Sequence, residues 1–91
     1  MSVSIRIPTS LRPYTSGASE VSADGATLDD VIDALDGAHP GIKERVLDDQ
    51  GQIRRFVNVY VNDDDVRFAQ GLGTATPDGT SISIIPAVAG G

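Results

Sequence analysis

Leu28, Val31, Ile32 and Leu35 recur at i, i+3, i+4 and i+7, the spacing that lays apolar side chains along one face of an α-helix. The segments on either side keep a different period. Val3, Ile5 and Ile7 alternate with Ser4 and Arg6, and Val57, Val59 and Val61 alternate with Asn58 and Tyr60. Ile82 and Ile84 continue the same pattern near the end of the chain. One amphipathic helix among half-buried strands covers its apolar stripe by lying across one sheet. Burying the four helix side chains contributes roughly 6 to 12 kcal/mol gross, before the entropy of ordering is subtracted. The expectation is an α+β domain in the order β, β, α, β, β, β, with the helix as the crossover between two hairpin-like halves.

The punctuation of the chain supplies boundaries. The first strand is expected over residues 3–7, stopped by Pro8, and a turn rich in Pro, Ser, Thr and Gly over 8–19 leads to a short returning strand at 20–23. Thr27 stands three residues before Asp30, an approximate capping box for the helix, while Asp29, Asp30, Asp33 and Asp36 are expected mostly to face water. Gly37 and Pro40 should end it, and a second short helix is expected over about 41–47. A polar loop at 48–52 precedes a strand at 54–62, with Phe56 and Tyr60 on the face away from the core. A turn at 62–65, a short strand at 66–68, a loop at 71–79 and a last strand at 80–85 complete the reading.

Composition excludes several function classes. The chain has 91 residues, enough for one core, and its net charge of −6 repels phosphate backbones. A basic protein partner suits it better. Cysteine is absent, which removes disulfides, thiolate metal sites and a thiol nucleophile, and makes a cytoplasmic location the expectation. The alternating start of the chain is unlike a signal peptide, and no apolar run approaches the roughly 20 residues of a membrane span.

The last residues carry the chemistry. After Pro86 the chain reads Ala87, Val88, Ala89, Gly90, Gly91, with no charge, no bulk and no turn residue to fold it back. Five extended residues reach at most about 17 Å, enough to enter a partner's active site while the body stays outside. Glycines without Cβ atoms allow a narrow channel to close around the backbone and leave the terminal carbonyl open to attack. The expected division is a folded domain over 1–86 and a slender tail over 87–91.

The stretches GATLDDVIDAL and FVNVYVNDDDVRF, the DGT turn and the ending IIPAVAGG resemble the ThiS, MoaD and CysO family of bacterial sulfur carriers, most closely the CysO type. That resemblance implies a ubiquitin-like β-grasp, with a mixed five-stranded sheet packed on one main helix. It also implies that the Gly91 carboxylate is adenylated by a MoeB-like enzyme and converted to a thiocarboxylate. Val88, Ala89 and Gly90 would thread into partner active sites. By the same resemblance the later partners are a pyridoxal-phosphate-dependent cysteine synthase and a zinc peptidase that releases cysteine. The alternatives are the small subunit of molybdopterin synthase, partnered by its large subunit, and a ubiquitin-like protein modifier. The chain is expected to act as carrier and co-substrate rather than as an enzyme, and to hold no cofactor of its own.

A partner must also grip the body. Phe56, Tyr60 and Ile85 are expected to project together from the outer face of the sheet as a docking patch, with Asp63, Asp64 and Asp65 steering a basic partner. Other signals are weaker. The three adjacent aspartates lack the spacing of a calcium loop, Gly71-Leu72-Gly73 lacks the Gly-Lys-Ser/Thr of a phosphate loop, and His39 has no second ligand. Ser10, Ser16 and Ser19 have no base beside them.

Overall fold

The structure is a computed structural model that describes residues 2–55, 57–66 and 70–86. Five strands form one sheet in the order β2-β1-β5-β3-β4. They are β1 (Val3–Arg6), β2 (Glu20–Ala23), β3 (Val57–Val61), β4 (Asp64–Asp65) and β5 (Ser81–Pro86). Helices α1 (Leu28–Ala38) and α2 (Ile42–Val46) connect β2 to β3. β1 and β5 run parallel at the centre, and the other pairings are antiparallel. This is the expected mixed β-grasp sheet on one main helix.

Register explains the core. Ile5 lies beside Ile82, Val59 beside Ile84 and Val61 beside Ile82, so alternate residues of the three central strands point to one face. There they meet Leu28, Val31, Ile32 and Leu35 of α1, and all of these side chains are buried. The Thr27 hydroxyl accepts the Asp30 N–H at 3.4 Å, which satisfies one of the free donors at the start of α1. The long loop before β5 ties down the same end. Leu28 N–H donates to the Thr74 carbonyl, Thr76 N–H to the Ala26 carbonyl, and the buried Thr76 hydroxyl to the Gly25 carbonyl at 2.8 Å.

Gly25 allows that closeness. A Cβ on it would lie 2.6 Å from the Val31 nitrogen and 2.8 Å from the Asp30 carbonyl carbon, both backbone atoms that cannot swing aside. Gly25→Ala is therefore expected to lower stability by about 1 to 3 kcal/mol, the usual cost of overpacking, as read from urea unfolding midpoints.

Several boundaries differ from the sequence reading for identifiable reasons. The first strand stops at Arg6, although Ile7 stays fully buried. The turn after Pro8 contains a 3-10 helix over Thr9–Thr15 that buries Leu11 and Thr15. Gly37 does not end α1. The helix runs on to Ala38, and the His39 N–H still bonds the Leu35 carbonyl at 2.8 Å. The strand expected over 54–62 is shorter, because Arg54 N–H bonds back to the Val46 carbonyl and Val57 N–H to the Arg54 carbonyl, turning 53–55 toward α2. β4 occupies Asp64–Asp65 rather than 66–68. Asn62, with φ 57°, and Asp63 alone make the hairpin loop, so Val61 already faces Asp64. Val66 is buried, whereas Arg67 and Phe68 of the expected strand lie outside the described residues. The last strand begins one residue later than expected, at Ser81, and includes Pro86.

Asp36 is the other departure. It is half-buried rather than solvated, and its Oδ1 accepts the N–H groups of Gly41 and Lys43 at 3.1 Å each. Gly41 has φ 99°, a backbone conformation that suits glycine, and its carbon faces the Tyr14 ring. Asp36 thus pins the first turn of α2 onto α1.

Candidate functional site: the exit of the central strand

β5 lies between β1, which pairs with it over Ser81–Ser83, and β3, which pairs with it through Pro86, so the last described pairings of β5 are with β3. Its final pairing is Pro86 with Val57. Val88, Ala89, Gly90 and Gly91, the tail residues singled out above, lie outside the described residues, as does Phe56. The described site is therefore the end of β5 up to Pro86.

On the outer face there Ile85 stands opposite Asn58, and Tyr60 stands opposite both Ser83 and Asp65. Tyr60 and Ile85 are diagonal neighbours across β3 and β5, within reach of an aromatic side chain at roughly 7 to 8 Å between backbones. Ile85 is 47% exposed, the only large hydrophobic residue so exposed among the described residues, and Tyr60 is half-buried. Two of the three residues expected to form a patch are thus brought together at the exit. The acidic trio divides. Asp65 faces Tyr60, whereas Asp64 pairs with Val61 and Asp63 sits in the hairpin loop, beside the start of β5.

The rest of this face is polar and small. Ser4 lies between Ser22 and Ser81, Arg6 lies between Glu20 and Ser83, and the Ser4 and Ser81 hydroxyls approach to 3.4 Å. An open groove of about 330 Å³ runs along these residues. Sequence reasoning did not single out this serine surface, although Ser4 on β1 and Ser81 and Ser83 on β5, all at outward positions, were its signal.

No described group of side chains assembles a catalytic centre. His39 sits at the C-terminal cap of α1, and no group of three or more His, Asp or Glu among the described residues is placed to hold a metal ion. Ser10, Ser16 and Ser19 lie in or beside the 3-10 turn near the β1 to β2 connection. A cleft of about 650 Å³ opens at the other end of the sheet, lined by Ser2, Asp24, Gly25, Thr76 and Asp78 among others, where Asp78 Oδ1 accepts the Ser2 N–H at 2.8 Å. No described helix is long and apolar enough to cross a membrane.

Residues 5–91 match the model of the ThiS family. The sulfur carrier protein CysO of Mycobacterium tuberculosis is 55% identical over 93 residues, covering the full length of both chains. A chain in the crystal structure of the Amycolatopsis orientalis BexX/CysO complex superposes with a TM-score of 0.92 at 48% identity, covering 98% of this chain and 99% of that one. Small archaeal modifier protein 1 of Haloferax volcanii is 42% identical over 72 residues, 78% of each chain.

Proposed function

The chain belongs to the ThiS family and is a homologue of the sulfur carrier protein CysO, and from that membership we propose that it carries sulfur as a thiocarboxylate on Gly91. The observation that carries this reading is the family match that runs through residue 91, so that the Gly-Gly ending falls inside the shared sequence. A carboxylate resists nucleophiles because it is already negative. Adenylation by a MoeB-like partner would replace that charge with a leaving group. Sulfide would then attack the carbonyl carbon, forming the C–S bond of the thiocarboxylate as the C–O bond to AMP breaks and AMP departs. Cysteine synthesis is the proposed destination, with a pyridoxal-phosphate-dependent cysteine synthase taking up the sulfur and a zinc peptidase restoring the Gly-Gly end.

In this reading the body is a handle. The tail follows β5, and Tyr60 and Ile85, with Phe56 four residues before Tyr60 in sequence, would give the partner an apolar hold. The first step is tested by ATP–pyrophosphate exchange in the presence of a MoeB-like enzyme. Exchange that depends on added carrier supports the reading, and exchange unchanged by the carrier opposes it. In that assay Ile85→Asp is expected to raise the apparent KM by about tenfold, the scale of a modest interface hot spot, with little change in kcat. Its melting temperature should change little, since the side chain is 47% exposed on the outer face.

A second reading has one observation in its favour, the 42% identity to an archaeal protein named as a modifier. Under it Gly91 would end in isopeptide bonds to lysines of other proteins, visible as covalent ladders in cell extracts.

A further inference from the structure

The chain contains a single lysine, Lys43, in the first turn of α2. Its position follows from the acidic stripe of α1. Asp29, Asp33 and Asp36 fall at i, i+4 and i+7 on one helix face. Asp36 holds the Gly41 and Lys43 N–H groups, which sets the start of α2 against this stripe. The Lys43 ammonium then reaches Asp33 Oδ1, one turn earlier on α1, in a hydrogen-bonded ion pair.

The pair is open to solvent, with Lys43 39% and Asp33 53% exposed. Burial therefore does not shield the amine from an acyl donor, and its protonation state decides whether it reacts. The hydrogen bond to Asp33 moves the Lys43 pKa upward against a smaller effect of desolvation, and the charges of Asp33, Asp29 and Asp36 add to the rise. Glu44 and Arg45 follow it on α2, and Asp48, Asp49 and Arg54 line the cleft beside it.

We propose that Lys43, the one side-chain amine of this chain, is its amide-forming acceptor for acyl groups, and that its ion pair with Asp33 keeps that acceptor closed. The reaction it prevents is self-conjugation. A neutral Lys43 amine would attack the Gly91 acyl-adenylate of another copy, forming a C–N bond and breaking the C–O bond to AMP. AMP would leave with the bonding pair, and the amine would lose a proton to water. Each such event would consume a carrier as an isopeptide-linked pair. The inference rests on the proposed activation of Gly91, but the state of Lys43 can be measured without it.

The test treats the full chain, Asp33→Asn and the control Asp30→Asn with an acetyl N-hydroxysuccinimide ester at limiting concentration. Acetylation of Lys43 is followed by peptide mass spectrometry and normalised to the α-amine of the same chain. Asp33→Asn is expected to speed Lys43 acetylation severalfold, while Asp30→Asn, which removes the same charge from outside the pair, leaves it unchanged. Thermal unfolding checks that the exposed substitutions keep the fold. Equal rates in the full chain and Asp33→Asn would overturn the proposal, whether or not the terminus is ever activated. A second arm adds ATP and a MoeB-like enzyme. Where exchange shows that adenylation occurs, Lys43–Gly91 isopeptides should form with Asp33→Asn and not with the unaltered chain, and their equal abundance in both would also overturn it. Failure of exchange alone counts against the proposed function and leaves the acetylation result to decide the state of Lys43.

Discussion

A variant ending at Ala89 is expected to lose sulfur loading by at least about 100-fold while unfolding at the same temperature as the full chain. Deleting Gly90 and Gly91 withdraws the reacting carboxylate by two residues, roughly 7 Å along an extended chain. Misplacement of a reacting group by only 1 Å can cost about 100-fold in rate, so a retreat of this size should leave background turnover. Stability should be indifferent, because every described core residue lies before Pro86 and Ile84 is the last of them. The measurements are thiocarboxylate yield with the MoeB-like enzyme and thermal unfolding by circular dichroism. A drop in both together would mean that the tail supports the fold, and unchanged loading would remove Gly91 from the mechanism.

The second large effect is expected in the core. Ile5 is 1% exposed at the centre of β1, flanked by Val21 on β2 and Ile82 on β5. Ile5→Ala removes three carbons from between the sheet and α1, where the surrounding backbone is held on both sides by strand pairing. The expected loss is about 2 to 5 kcal/mol, the range for such truncations. Domains of this size are held by only about 5 to 15 kcal/mol, so the variant should lose a large fraction of its stability. Urea titration should show a lower midpoint with an unchanged slope. By contrast Ile85→Ala, on the outer face of the same sheet, should stay within about 0.5 kcal/mol of the parent. Equal losses at the two positions would contradict the assignment of inner and outer faces.

The parts of the fold that could be read in advance are those governed by neighbours in sequence. The α1 stripe, the Thr27 cap, the bounds of β2 and the alternation of β3 and β5 each follow from residues within one or two turns of each other. What escaped depends on residues far apart along the chain. Thr76 holds the entrance to α1 through Gly25, and Arg54 leaves the expected strand because it bonds to Val46. Asp36 looked like one more solvated acid until α2 folded back onto it. The Leu11 side chain is buried under a 3-10 turn whose Pro, Ser and Thr composition reads locally as a loose tip.

The site divides along the same line. The outward positions of Tyr60 and Ile85 follow from the period of two, whereas the expected tail over 87–91 lies outside the described residues. Neither the serine surface beside the patch nor the pairing of Lys43 with Asp33 could be read, because strand order and the approach of α2 to α1 bring those residues together. Of the acids grouped with the patch by nearness in sequence, Asp65 pairs with Tyr60, Asp63 lines the serine groove with Ser83, and Asp64 pairs with Val61.

The most direct test of the central claim is fragmentation mass spectrometry of the intact chain after incubation with ATP, sulfide and a MoeB-like enzyme. The account expects a gain equal to one oxygen exchanged for one sulfur, present only in fragments that retain Gly91. Sulfur carried by fragments that lack Gly91, or an unchanged mass although the enzyme adenylates the chain, would contradict it.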